Sequence, residues 1–228
     1  MDWLELLLAL AAFFAAHRLP KALGFKAAMQ HWGLLRVYFL FYSLMSLALL
    51  AWSLGAADRA PFVPLWGLAP WHPWVVNIAM PAACLLAAYG IAAPNPFAFE
   101  GRASGFRPEA PGIAGLTRQP LLWALTLWSG SHLLANGDLA HVLLFGPAFA
   151  LALLGGWALE RRQRAEIGPR WSTLSQKTAF LPGAALLTGR WRPRHWPSLP
   201  RLAAALAAWA ALLHLHAPAI GAYRKNKF

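Results

Sequence analysis

Six long apolar stretches recur along the chain, separated by segments rich in proline, glycine and basic residues. They run over residues 3–16, 34–54, 74–93, 121–135, 139–159 and 199–217. About 20 apolar residues in a helix cross a hydrocarbon core of roughly 30 Å. The pattern therefore predicts an all-α fold: a polytopic integral membrane bundle of about six transmembrane helices, forming a single domain over residues 1–228. The first and fourth stretches are short for that thickness and need a thinned bilayer or help from flanking residues. Only Asn136-Gly137-Asp138 separates the fourth stretch from the fifth, which predicts two antiparallel neighbouring helices. Ala148, Ala152 and Gly156 recur every four positions, a spacing that lets the fifth helix approach a neighbour closely.

Composition supports the lipid setting. Hydrophobic residues make up 59% of the chain and charged residues 12%, against roughly 45–50% and 25% in soluble domains. A net charge of +12 raises the question of nucleic acid. That function needs a basic face on a soluble domain, whereas these basic residues lie in short runs between apolar stretches, so nucleic acid is not an expected partner. Of the 20 lysines and arginines, sixteen fall in the segments after the first, third and fifth stretches or at the start of the stretch that follows. The positive-inside rule then places the N-terminus outside and those loops in the cytoplasm. The basic tail Arg224-Lys225-Asn226-Lys227 runs against that orientation.

Trp66, Trp71 and Trp74 suit an outer aromatic belt, and Trp171, Trp191 and Trp196 an inner one. Residues 160–198 mix basic and apolar side chains, which fits equally an interfacial stretch on the inner leaflet and a solvated loop. The acidic opening Met1-Asp2-Trp3-Leu4-Glu5 differs from a secretory n-region, so the first apolar run is expected to be retained. A lone Cys84 excludes a disulfide framework or a multi-cysteine metal site.

Chemistry concentrates in the fourth stretch. Thr126, Ser129, His132 and Asn136 fall at steps of three, three and four residues, on one face of a helix. A polar stripe in hydrocarbon must face the bundle interior, and an ionisable residue there is a functional candidate. Imidazole can be a metal ligand, a proton shuttle or a hydrogen-bonding partner between helices. His132 lies about 18 Å along its helix from Pro120, and His214 about 21 Å along its own from Pro200. Similar depth makes His214 a candidate to share a metal or haem with His132. Asp138 either orients a histidine or caps the first turn of the fifth helix. No nucleophilic triad, phosphate loop or paired carboxylate site is legible.

The run Trp128-Ser129-Gly130-Ser131-His132-Leu133-Leu134-Ala135-Asn136-Gly137-Asp138-Leu139-Ala140, with Leu144-Phe145-Gly146 and Arg161-Arg162, resembles the NnrU family. That family comprises bacterial membrane proteins associated with nitrite and nitric oxide respiration and is related to zeta-carotene isomerase. Weaker matches are His17, Arg36, Ser46-Leu47 and Thr117-Arg118-Gln119-Pro120, and the resemblance thins after about residue 182. It implies a helical membrane fold distantly shared with isoprenylcysteine-type methyltransferases. In the isomerase branch it implies b-type haem with histidine axial ligands, which map here to His17 and His132. Two departures stand out: Gln119 replaces the family's histidine in Arg-His-Pro, and Ser129 replaces a cysteine.

The resulting expectation is a haem-binding protein of the bacterial inner membrane, an accessory or isomerase-like redox protein of nitrite and nitric oxide metabolism. Its partners would be the lipid bilayer, haem, and nitrogen-oxide respiratory enzymes or an apolar substrate. Whether it is an enzyme stays open. One alternative is a membrane methyltransferase using S-adenosylmethionine, echoed by Thr117-Arg118, Pro120 and Glu160-Arg161. Another is a non-enzymatic assembly factor in which His132 is structural. The two ligands supplied by the resemblance also sit at different depths, His17 lying about 21 Å along its helix from Trp3.

Overall fold

A computed structural model describes residues 2–99, 101–194 and 197–220; side chains at 2, 21 and 216–220 are not described. His195, Trp196, the side chain of His216 and the basic tail therefore lie outside the described residues. Two compact units emerge. One comprises the described residues of 1–67, 137–144 and 216–228, the other those of 68–136 and 145–215.

The first unit is built on α1 (Asp2–Ala22) and α3 (Leu35–Arg59), which pack together, with the short α2 (Phe25–His31) between them. Leucine and alanine dominate α1 and favour the helix. Its expected end at residue 16 is corrected: α1 continues through Pro20 to Ala22. Gly24 and Gly33, with φ of 68° and 71°, make the left-handed turns that bracket α2. Glu5 of α1 ties the helices together: it accepts from Arg59 Nη2 and Nε at 2.5 and 3.1 Å, and from Trp52 Nε1 at 3.2 Å.

The tight turn at Gly137 belongs to the same unit and is pinned by the loop after α3. Leu65 and Trp66 donate their N–H groups to the Gly137 carbonyl at 2.8 and 3.2 Å, and Leu139 donates to Val63 at 2.9 Å. Gly137 holds φ at 69°, a conformation that costs other residues about 1–2 kcal/mol.

In the second unit α4 (His72–Gly90) lies along α6 (Pro120–Asn136). Ala83, Leu86 and Ala124 are buried together, with Ile113 and Leu116 of α5 (Ile113–Leu116) packed against them. Small residues permit the close approach. A Cβ on Gly90 would come within 2.8 Å of the Pro120 ring, and one on Gly130 within 2.9 Å of Phe149. The long α7 (Leu139–Ile167) starts in the first unit and continues in the second. A 3-10 turn (Gly168–Arg170), α8 (Trp171–Ser175), α9 (Ala184–Leu187) and α10 (Leu199–Ile220) follow. The segment expected to be an interfacial or solvated loop thus begins as an extension of α7 and then forms short helical turns.

Each of the six apolar stretches lies largely within a helix, the third ending at Gly90 rather than residue 93, and the described residues contain no strand beyond isolated bridges. Among the described residues four helices are long and apolar enough to cross a membrane: Trp3–Pro20, Leu35–Arg59, His72–Gly90 and Leu139–Ser175. Of the six expected crossings these four meet that length and composition, and the first stretch, short by its apolar run, is among them. The 17-residue α6 rises only about 25 Å, less than the hydrocarbon thickness, and Leu199–Leu215 is a shorter apolar helix. Phe39, Leu40, Phe41, Leu44 and Leu47 stand exposed along α3, a surface suited to lipid.

Candidate functional site

The stripe on α6 is satisfied by its own helix. Thr126 donates to the Leu122 carbonyl at 2.8 Å and Ser129 to Leu125 at 2.6 Å. His132 Nδ1 donates to Trp128 at 2.7 Å, and Asn136 Nδ2 donates to the His132 carbonyl at 2.7 Å. Every bond runs back to the carbonyl four residues earlier, the usual recourse of a polar side chain in a helix interior. Thr126, Ser129 and His132 are buried.

That bonding fixes the imidazole. A neutral imidazole bonded in this way has Nδ1 as its donor and Nε2 as its acceptor nitrogen. Metal-bound histidines use the same device, donating the second ring N–H to a carbonyl to set orientation and basicity. Two aromatic rings flank His132: Trp128 with centroids 5.8 Å apart and Phe145 at 5.2 Å.

His17 repeats the arrangement in the first unit. Its Nδ1 donates to the Phe13 carbonyl at 2.7 Å, four residues earlier, and the Ser46 hydroxyl lies 3.5 Å from Nε2. Phe13 and Tyr42 flank it at 4.3 and 5.6 Å. His17 and His132 thus belong to different units yet share one local chemistry. His214 does not share it. It is exposed on α10 and makes no hydrogen bond among the described residues. His72 bonds differently: its Nδ1 lies 2.7 Å from the Ala69 N–H and 3.0 Å from the Ala69 carbonyl, three residues earlier.

Sequence reasoning treated Asp138 as a cap or a histidine-orienting group; both geometries occur. Asp138 Oδ1 accepts from the His141 backbone N–H at 3.2 Å, the capping bond at the start of α7. His141 Nδ1 also lies 2.8 Å from both carboxylate oxygens, and its Nε2 is 3.8 Å from Asp58 Oδ1. The histidine oriented is His141, buried between two carboxylates. The Asp-x-x-His spacing at a helix start was the available signal; Asp58, far away in sequence, gave none.

The segment echoing a methyltransferase motif is internally bound. Arg118 Nε donates to Glu160 Oε2 at 3.1 Å, Nη2 pairs with Glu160 Oε1, and Nη1 donates to Thr178 Oγ1 at 2.9 Å. Its guanidinium lies over the Trp171 and Phe97 rings at 5.3 and 5.8 Å. Gln119 is buried and donates Nε2–H to the Phe97 carbonyl at 2.6 Å. The space beside Gln119, Trp123, Thr126 and Phe180 is too small for a water molecule. Among the described residues no group of three or more His, Cys, Asp or Glu side chains stands together as a metal site.

The family model described as NnrU protein matches residues 5–223. No curated protein and no solved structure matches the chain.

Proposed function

Because the chain belongs to the NnrU family, we propose that it binds b-type haem through His132 and acts as an accessory or isomerase-like redox protein of nitrite and nitric oxide metabolism. The observation that carries this reading is the bonding of His132: a buried imidazole whose Nδ1 donates to the Trp128 carbonyl, with Nε2 as its acceptor nitrogen. The donor chemistry fits an axial ligand of haem iron. His17, to which the resemblance also maps a ligand, makes the same bond to the Phe13 carbonyl, whereas His214 is exposed. Haem would bring one-electron chemistry. The protein's own residues orient the imidazoles and, through Trp128 and Phe145, wall His132 with apolar rings.

The same proposal places the chain in the bacterial inner membrane with its N-terminus outside. In it α6 and α10 complete six crossings. Back-bonding of Thr126, Ser129 and Asn136 lowers the cost of immersing α6, since each polar group keeps a partner without water.

That back-bonding also favours a second reading, an assembly factor in which His132 is structural, because the stripe is satisfied without a ligand. The methyltransferase reading gains less: Arg118 and Glu160 are paired with each other. Variants separate the first two. Under the haem reading, His132→Ala purified from haem-replete cells loses the Soret absorbance of the wild type, and Ser129→Ala keeps it. Equal Soret absorbance per protein in wild type and His132→Ala would remove His132 as the ligand and leave the structural role.

A further inference from the structure

A cavity of about 280 Å³ opens in the second unit where α4 ends and α10 begins. Much of its wall is apolar, including Pro94, Phe106 and Ile113, and two arginines line it, Arg107 and Arg201; among the described residues no acidic residue does. Arg201 is held by one nitrogen. Its Nη1 donates to the Ala88 and Tyr89 carbonyls at 3.0 and 2.8 Å, at the C-terminal end of α4. A guanidinium has five N–H donors, so Nε and Nη2 keep theirs. Among the described residues neither of those nitrogens, nor the Arg107 side chain, has a hydrogen-bond or carboxylate partner. The rim is braced by the Tyr89 hydroxyl, which donates to the Ser198 carbonyl at 2.8 Å.

Two like charges on one small cavity repel unless an anion or solvent stands between them. Guanidinium groups match phosphate oxygens with paired N–H bonds, in a geometry a lysine does not offer. The volume lies just under the roughly 300–1,000 Å³ of sites for drug-sized ligands, a size suited to a headgroup with the start of an attached body. The apolar wall and the ends of two apolar helices favour a body that is itself apolar. We propose that this cavity is a phosphate-ester site, in which Arg107 and Arg201 clamp the phosphate and Phe106, Pro94 and Ile113 receive the group that carries it. The ester is either the headgroup of an anionic membrane lipid or a soluble metabolite. The site is independent of haem, so either proposal can fail without the other.

Native mass spectrometry on the full chain in non-ionic detergent tests it, with dioleoylphosphatidylglycerol as the lipid probe and glycerol 3-phosphate as the soluble one. Arg107→Gln is the decisive variant, since that side chain is exposed and holds no other part of the protein. Arg201→Lys keeps a donor for the end of α4 while removing the fork, and circular dichroism checks that it folds. The lipid should bind the wild type and bind each variant about tenfold more weakly. The same arginine dependence for glycerol 3-phosphate alone would support the site and assign it to soluble esters. Binding of neither probe by the wild type, or binding unchanged by Arg107→Gln, would overturn the proposal.

Discussion

Arg118 offers the sharpest energetic test of how the second unit is held together. Its guanidinium joins Glu160 of α7 and Thr178 and lies over Phe97 and Trp171, so one side chain links four separated parts of the sequence. The side chains of Arg118 and Glu160 are 12% and 15% exposed, which makes this a largely desolvated pair. Removing one partner of such a pair strands the other charge at a cost of about 3–5 kcal/mol. Arg118→Met should therefore lower the unfolding free energy by about that amount, measured by reversible unfolding in mixed detergent micelles. Arg118→Met with Glu160→Met strands no charge and should be more stable than the two single changes summed, by roughly 2 kcal/mol. The ion pair between Arg162 and Glu166, at 67% and 49% exposure, serves as a control; Arg162→Ala should leave unfolding unchanged. A cost under about 1 kcal/mol for Arg118→Met, the value of an exposed pair, would refute the reasoning. So would strict additivity.

Two further substitutions probe local packing. A Cβ on Gly115 would sit 2.3 Å from the Trp191 ring, so Gly115→Ala should lower stability by about 1–3 kcal/mol through overpacking, and Trp191→Leu in the same chain should restore part of it. Asp138→Ala removes the cap of α7 and should cost about 1–2 kcal/mol, whereas Asp138→Asn still caps and should recover much of that loss; thermal melts of the three proteins compare them.

The helices were legible because apolar length is a local signal. All six expected stretches are largely helical, and boundaries failed where a local rule met a longer-range one. Pro20 lies in the last turn of α1, where one lost backbone bond does not end the helix, so α1 overran its expected end. The α7 helix runs on past residue 159 because Glu160, Arg161 and Arg162 are good helix formers, although polarity marks them as leaving lipid. The polar face of α6 was legible from its spacing alone. What spacing could not show was that each polar group turns back onto its own helix rather than reaching across to another. His141 illustrates the remaining gap: its burial between Asp138 and Asp58 depends on a contact between residues about eighty positions apart, for which a single sequence carries no local mark.

The central claim is that this membrane protein carries haem on His132. Its most direct test is the absorption spectrum of the full chain, purified in mild detergent from haem-replete cells, recorded oxidised and then reduced with dithionite. The account predicts a Soret band that sharpens and shifts on reduction, with the resolved visible bands of a b-type haem. A folded protein that is colourless and contains no extractable haem would contradict it.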